Sequence, residues 1–108
     1  MATSTSEDKF TLMVCWALNE PENEDHLTEL IAAIEAQEKI PGVLSIKHGL
    51  RVKQVDWVGP DDAFNYAMVM QFDTMDNVRA YVPHPIHQKL VGTIVYMGSN
   101  IRGFWISC

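Results

Sequence analysis

Two side chains in one short segment of the 108-residue sequence could carry acid–base chemistry. The segment reads YVPHPIH, and the two side chains are the phenol of Tyr81 and the imidazole of His87. A neutral imidazole can accept a proton as a general base, and a phenol can donate a hydrogen bond to an oxygen that gains negative charge. Each residue also has a structural interpretation. His87 could be a core histidine bonded to the backbone, and Tyr81 an aromatic wedge with its hydroxyl in water.

A metal site is another chemistry that this segment could support, because His84 and His87 form an HxxH pair. Pro83 and Pro85 frame that pair, and no carboxylate lies at helical spacing nearby. His84 is therefore predicted to cap a helix that begins at Pro85. Dinucleotide-binding, P-loop and nucleophile-elbow motifs are absent, and Cys15 has no base near it in sequence. We expect no metal and no cofactor.

The elements that must position these side chains follow from hydrophobic periodicity and turn residues. Strands are predicted at residues 10–17, 43–52, 66–72 and 101–107. Helices are predicted at 25–38, in a short segment that ends at Tyr81, and at 85–97, with a loop at 54–65. The resulting order, β-α-β-β-α-β, is the ferredoxin-like arrangement of the α+β class, an antiparallel sheet with helices on one face.

An apolar substrate pocket is predicted beside His87. In a helix that starts at Pro85, the side chains three, four and seven positions after His87 lie on the same side of the helix. Together with inward-facing strand residues, the predicted pocket comprises Phe10, Leu12, Val14, Met68, Met70, Leu90, Val91 and Ile94. An ordinary hydrophobic core is the alternative for these side chains. The choice between pocket wall and dimer core is also open for Trp16, Phe72 and Trp105.

The first strand predicts a second copy of the chain. Its even positions, such as Leu12 and Val14, and its odd positions, such as Met13 and Cys15, are all apolar. Such a strand is covered on both sides, but the helices of this arrangement cover only one face of the sheet. A domain of about this size also buries only about two thirds of its unfolded-chain surface. A homodimer that shares the second face of the sheet satisfies both requirements.

Charge and composition exclude several partners. Eight Lys and Arg against fourteen Asp and Glu give a formal net charge of −6, and no basic run is present. Nucleic acids and anionic membranes are therefore not expected as partners. Residues 1–8 are predicted to be a disordered tail rather than a secretory signal, and residues 9–108 to form one domain. No apolar run approaches the roughly 20 residues that span a bilayer, so we expect a cytoplasmic protein.

Three segments of the chain resemble the stress-responsive dimeric α/β-barrel (Dabb) family. They are IPGV at 40–43 followed by Gly49, FDT at 72–74, and the Y-x-x-H-P-x-H pattern at 81–87. The resemblance extends over about residues 10–106, and it implies a homodimer in which two sheets pack face to face into a barrel. Some members are stress-induced proteins without assigned chemistry. One plant member closes a linear polyketide by aldol condensation, with a Tyr and a His that correspond to Tyr81 and His87.

Two positions depart from that plant cyclase. One of its histidines falls near Phe10 of this chain, and a pocket tyrosine on its first helix falls near Ala33, which adds Ala33 to the predicted pocket. Both changes enlarge or depolarise the pocket. The resemblance implies a cofactor-independent cyclase or lyase for a small, apolar, carbonyl-rich substrate of polyketide type, with His87 and Tyr81 as the catalytic residues. The alternatives are a non-enzymatic stress-associated barrel dimer and a cofactor-free monooxygenase.

Overall fold

The computed structural model describes residues 9–52 and 63–107. The tail predicted at residues 1–8 and most of the loop predicted at 54–65 lie outside the described residues. The chain order is β1 (Phe10–Leu18), α1 (Glu24–Glu35), a 3-10 turn (Ala36–Lys39), β2 (Val43–Leu50), β3 (Tyr66–Phe72), α2 (Met75–Tyr81), α3 (Pro85–Met97) and β4 (Gly98–Ser107).

The four strands form one antiparallel sheet in the order β2-β3-β1-β4. The strand β1 is one of the two inner strands. Its residue Leu12 pairs with Met70 of β3 on one side and with Trp105 of β4 on the other. Alternation along each strand places these three side chains on the same face of the sheet. This face packs against the helices, and the predicted ferredoxin-like fold of the α+β class is confirmed.

The last strand begins earlier than the sequence predicts. We expected it to start at Ile101, because Gly98, Ser99 and Asn100 are typical of a turn. Instead β4 begins at Gly98, directly after α3. A Cβ at Gly98 would clash with the Ala17 carbonyl oxygen, so only glycine permits this close approach to β1. Asn100 has a φ of 62° beside an irregularity in the β1–β4 pairing, a conformation that asparagine tolerates.

The first helix ends earlier than the sequence predicts. It was expected to reach residue 38, but α1 ends at Glu35 and a 3-10 turn follows. Such tightening is common at the C-terminal ends of helices. The Gln37 amide stabilises this turn, since its Nε2 donates to the carbonyl oxygens of Ala33 (2.8 Å) and Ile86 (3.1 Å). The second of these bonds joins the turn to the start of α3.

The two faces of the sheet have different surroundings. The helix-covered face contains the buried core, with Trp16, Met70 and Phe72 fully enclosed. The opposite face, which we call the open face, presents Met13, Val69, Phe104 and Ile106 to solvent. Phe104 is 60% exposed. Apolar clusters of this kind mark interaction surfaces.

Candidate active site

The junction between α2 and α3 brings the motif residues together. The helix α2 ends at Tyr81, and Pro85 is the first residue of α3, where its missing N–H costs no hydrogen bond. His84 is the N-cap, and its Nδ1 accepts a hydrogen bond from the Ile86 amide at 3.1 Å. The predicted capping role of His84 is confirmed, and this bond occupies the imidazole nitrogen nearest the backbone.

The His87 imidazole is held by a backbone carbonyl five residues earlier in the chain. Its Nδ1 lies 2.9 Å from the carbonyl oxygen of Val82, which also accepts a bond from Gln88 Nε2 at 2.8 Å. A carbonyl oxygen can only accept, so we assign the ring hydrogen of a neutral His87 to Nδ1. Its Nε2 then carries the lone pair. The structural interpretation of His87 predicted this backbone bond, and the same bond orients an imidazole that can accept a proton.

Tyr81 is buried beside that imidazole. The two ring centroids are 4.1 Å apart, and the phenol also makes edge contacts with Phe72 at 4.9 Å and Trp105 at 6.2 Å. Tyr81 is 1% exposed, and its hydroxyl has no hydrogen-bond partner among the described residues. The alternative with this hydroxyl in water is therefore wrong. Burial raises the pKa of Tyr81 well above its ordinary value, so the hydroxyl remains a neutral donor.

An apolar cavity of about 270 Å³ lies beside these two side chains, between the helices α2 and α3 and the strands β1 and β4. Eight residues singled out from the sequence line it: Leu12, Val14, Met68, Tyr81, His87, Leu90, Val91 and Ile94. Among the described residues that line it, none is Asp, Glu, Lys or Arg. The cavity therefore combines an apolar wall with one potential base and one neutral donor.

Three residues of the predicted pocket lie elsewhere. Ala33 faces a separate groove between α1 and α3, together with Ile86 and Thr93. It lies there because α1 packs against α3 rather than over the cavity. Met70 is fully buried in the middle of the sheet, and Phe10 is half-buried against the core. These three side chains do not contact the cavity beside His87.

Most of the β4 side of the cavity was not predicted from the sequence. Besides Trp105, for which the choice was left open, the further lining residues are Val82, Ile101, Gly103 and Phe104; strand alternation places the Phe104 side chain on the open face. A signal for two of them was available, because ferredoxin-like order places β4 beside β1. In that pairing Trp105 lies opposite Leu12, and Gly103 lies opposite Val14. The open choice for Trp105 is resolved in favour of the cavity wall.

A second tyrosine–histidine pair lies on β2 and β3. His48 Nδ1 is 2.8 Å from the Tyr66 hydroxyl, and His48 Nε2 is 3.6 Å from Glu35 Oε2. Burial, and secondarily the negative charge of Glu35, raise the pKa of Tyr66. Tyr66 also stacks on Trp16 with ring centroids 5.2 Å apart. This cluster does not line the cavity beside His87.

The described residues give no sign of a metal centre or a membrane span. Across residues 9–52 and 63–107, no three His, Cys, Asp or Glu side chains are grouped as metal ligands would be. None of the helices in the described part of the chain has the length and apolar character needed to cross a bilayer.

The fold and the cavity define a ferredoxin-like α+β domain with a potential acid–base pair. The model of the stress-responsive A/B barrel domain (Dabb) family matches residues 11–98. The chain therefore belongs to the Dabb family, as its motifs predicted. A search of the curated proteins finds no match.

Solved structures agree on the fold. A dimeric ferredoxin-like protein of unknown function from Thermobifida fusca is 18% identical, with a TM-score of 0.77 over 99% of this chain and 97% of that one. A hydroxynitrile lyase from Passiflora edulis is 14% identical, with a TM-score of 0.75 over 94% of each chain. A possible oxidoreductase from Bacteroides thetaiotaomicron is 11% identical, with a TM-score of 0.72 over 94% of this chain and 99% of that one.

Proposed function

We propose that this Dabb-family chain is a cofactor-independent lyase or cyclase for a small, apolar, carbonyl-rich substrate of polyketide type. One observation carries the proposal. The rings of His87 and Tyr81 lie side by side, with centroids 4.1 Å apart, on the wall of one apolar cavity, and the buried Tyr81 hydroxyl has no hydrogen-bond partner among the described residues. A base and a neutral donor with unused hydrogen-bonding capacity are what carbon-acid chemistry requires.

The proposed reaction is an intramolecular aldol condensation. His87 Nε2 removes a proton from the carbon next to one carbonyl, and the electron pair moves to that carbonyl oxygen. Tyr81 donates a hydrogen bond to the oxygen as its negative charge develops. The enolate carbon then attacks a second carbonyl of the same chain, and the new alkoxide regains the proton from His87. Loss of water follows, and the apolar walls hold the chain folded while the new bond forms.

A lyase reaction uses the same two groups. In the reverse direction, a base deprotonates a hydroxyl and a carbon–carbon bond breaks to give a carbonyl compound. The Passiflora edulis neighbour shows that a hydroxynitrile lyase can be built on this fold. The experiment therefore includes both reactions.

The experiment measures turnover of two model substrates by the full chain. Diacetylacetone is a linear triketone that forms orcinol by aldol condensation and loss of one water, and mandelonitrile splits into benzaldehyde and cyanide. We expect one of them to be converted, and His87→Gln to lower the rate by about 10²–10⁴-fold. His48→Gln is the matched control, because His48 is not part of the cavity wall. Conversion at equal rates by wild type and His87→Gln would contradict the proposed mechanism. No conversion of either substrate would favour the non-enzymatic barrel dimer.

The proposed assembly is a homodimer through the open face. Met13, Val69 and Ile106 present apolar surface there, and the Thermobifida fusca neighbour is dimeric. We expect Val69→Lys to yield a monomer in analytical ultracentrifugation, because a charge would be buried in the interface. Val95→Lys is the control, since Val95 is an exposed apolar residue of α3 on the helical layer. A dimer that survives Val69→Lys would place the interface elsewhere.

A further inference from the structure

The backbone carbonyl of Val82 receives hydrogen bonds from two neighbouring side chains of α3. His87 Nδ1 lies 2.9 Å from its oxygen, and Gln88 Nε2 donates to the same oxygen at 2.8 Å. Val82 is the C-cap of α2, and the last carbonyl groups of a helix have no partner inside the helix. A carbonyl oxygen has two lone pairs, so His87 and Gln88 together use its full accepting capacity.

Gln88 takes no direct part in the cavity wall. It is an exposed residue of the first turn of α3 and does not line the cavity. Its backbone is fixed there, because the Gln88 N–H donates to the His84 carbonyl oxygen at 2.9 Å. An effect of the Gln88 side chain on chemistry in the cavity therefore passes through the Val82 carbonyl to His87, which does line the cavity.

The other histidine of the motif, His84, has the reverse hydrogen-bonding arrangement. Its Nδ1 accepts from the Ile86 amide, which requires a lone pair on Nδ1 and, in the neutral ring, a hydrogen on Nε2. His87 Nδ1 must instead carry the hydrogen, because the Val82 oxygen can only accept. Two histidines of one short segment are thus held in opposite tautomers, each by a backbone group.

We infer that Gln88 is a positioning residue: by holding the Val82 carbonyl in place, it keeps the hydrogen of neutral His87 on Nδ1 and the lone pair on Nε2. This inference rests on the proposed function, in which Nε2 is the base, and it adds a residue that does not touch the substrate. Without the Gln88 amide, the carbonyl has His87 as its one side-chain donor, and the imidazole must orient its own acceptor. A ring that is held less firmly exchanges between tautomers, and only one tautomer offers Nε2 as a base.

The first experiment identifies the tautomers by heteronuclear NMR of the ring nitrogens in the full chain, at about pH 8, above the ordinary pKa of histidine. We expect the hydrogen on Nδ1 of His87 and on Nε2 of His84. Gln88→Met removes the donor but keeps the length of the side chain, and it should convert His87 to a mixture of tautomers while His84 stays unchanged. A wild-type His87 with its hydrogen on Nε2, or a His87 tautomer that is unchanged in Gln88→Met, would overturn the inference.

Two further variants separate the N–H group of Gln88 from the bulk of its side chain. Gln88→Arg places an N–H donor at the same number of bonds from the backbone, so it should restore the Nδ1 tautomer of His87. Lys89→Met is the matched control, because it introduces the same side chain at an exposed neighbouring position. A tautomer mixture in Gln88→Arg equal to that in Gln88→Met, or the same mixture in Lys89→Met, would contradict a role for the Gln88 donor.

The second experiment measures turnover of the converted model substrate. Gln88→Met should lower kcat by about two- to tenfold, the range that the loss of one hydrogen bond permits, and should change KM by less than about twofold. In a His87→Gln background, Gln88→Met should lower the remaining rate no further, because a residue that acts through His87 has no effect once the imidazole is gone. An equal fold-loss in both backgrounds would contradict the positioning role.

The tautomer and turnover experiments can fail independently. If the His87 tautomer responds to Gln88→Met but neither diacetylacetone nor mandelonitrile is converted, the proposed function fails and the positioning of His87 stands. If turnover depends on His87 but Gln88→Met changes neither the tautomer nor kcat, the proposed function stands and Gln88 is not a positioning residue.

Discussion

Two of the tyrosine–histidine pairs in the described chain differ in how their hydrogen bonds are satisfied. On β2 and β3, the Tyr66 hydroxyl is bonded to His48, whose other ring nitrogen faces Glu35. At the α2–α3 junction, Tyr81 and His87 are closer as rings, at 4.1 Å, but the Tyr81 hydroxyl has no partner in the described chain. The first pair, which we call the closed pair, uses its polar groups internally. The second, the cavity pair, retains unused hydrogen-bonding capacity.

This difference distinguishes a structural role from a chemical one better than pKa does. Burial raises the pKa of both tyrosines, so the shift alone does not identify the reactive pair. The closed pair joins the end of α1 to the sheet through Glu35, His48 and Tyr66. The cavity pair has an orientation fixed by the Val82 carbonyl and a space next to it for another molecule.

The largest expected effect is on the rate of catalysis. Tyr81→Phe should lower kcat on the converted model substrate by about 10²–10³-fold, because it removes the donor to the developing oxyanion. Tyr66→Phe should change kcat by less than about twofold, since this hydroxyl is already bonded to His48. Steady-state kinetics on both variants measures the comparison. Equal losses in the two variants would remove the distinction between the closed pair and the cavity pair.

Much of the local structure around the cavity pair could be predicted from short-range sequence signals. The bounds of α3 follow from Pro85 at its start and Gly98 directly after its end, and the His84 cap follows from the same segment. These features depend on residues close in the chain, where backbone geometry and steric restriction act directly. Membership of the Dabb family was equally readable, because its motifs are contiguous.

The closed pair and the β4 wall could not be predicted in the same way. In the sequence, His48 had no supporting motif, because its partners Tyr66 and Glu35 come from other elements. Their contact depends on the register of β2 against β3, in which His48 lies opposite Met68. Trp105 likewise enters the cavity only through the pairing of β4 with β1. Cross-strand register is a tertiary property, and periodicity alone does not determine it.

The second prediction concerns stability, for which the expected order of Tyr66→Phe and Tyr81→Phe is the reverse of that for kcat. Tyr66→Phe should reduce the free energy of unfolding by roughly 1–3 kcal/mol, because it leaves a largely buried nitrogen of His48 without its partner. Tyr81→Phe should be neutral or slightly stabilising, since the hydroxyl that it removes has no acceptor in the described chain. Denaturant titration measures both changes. A stability loss in Tyr81→Phe as large as that in Tyr66→Phe would imply a hidden acceptor at the cavity.

The third prediction concerns alkaline pH, where the raised pKa values of the two tyrosines act in the same direction. Below a pH of about 10, both phenols are protonated in the folded and unfolded chain. Above it, the unfolded phenols ionise while Tyr66 and Tyr81 hold their protons. Stability therefore falls as pH rises, by at most about 1.4 kcal/mol per pH unit for each group.

The variants Tyr66→Phe and Tyr81→Phe should each reduce this alkaline loss. The more deeply buried Tyr81 should account for the larger share. Denaturant titrations between about pH 8 and pH 11 provide the slopes. Tyr96→Phe is the control on an exposed tyrosine, at 71% exposure. A slope that is the same in wild type and Tyr81→Phe would contradict the burial of the phenol.

The smallest expected effect is at Glu35, which lies next to the closed pair and faces His48. Its carboxylate is 3.6 Å from His48 Nε2 and 61% exposed, and even a fully charged pair at this exposure contributes only about 0–1 kcal/mol. Glu35→Gln should therefore lower stability by less than about 1 kcal/mol, and the difference should vanish in about 1 M salt, where the Debye length is about 3 Å.

The same variant should lower the pKa of Tyr66 towards its ordinary value, because the charge of Glu35 is one of the two causes that raise it. Absorbance titration of the phenols measures this shift, with Glu38→Gln as a control on an exposed carboxylate in the neighbouring 3-10 turn. We expect kcat to be unchanged in Glu35→Gln. A changed kcat would contradict the comparison, because it would show that the closed pair and the cavity pair are coupled rather than independent.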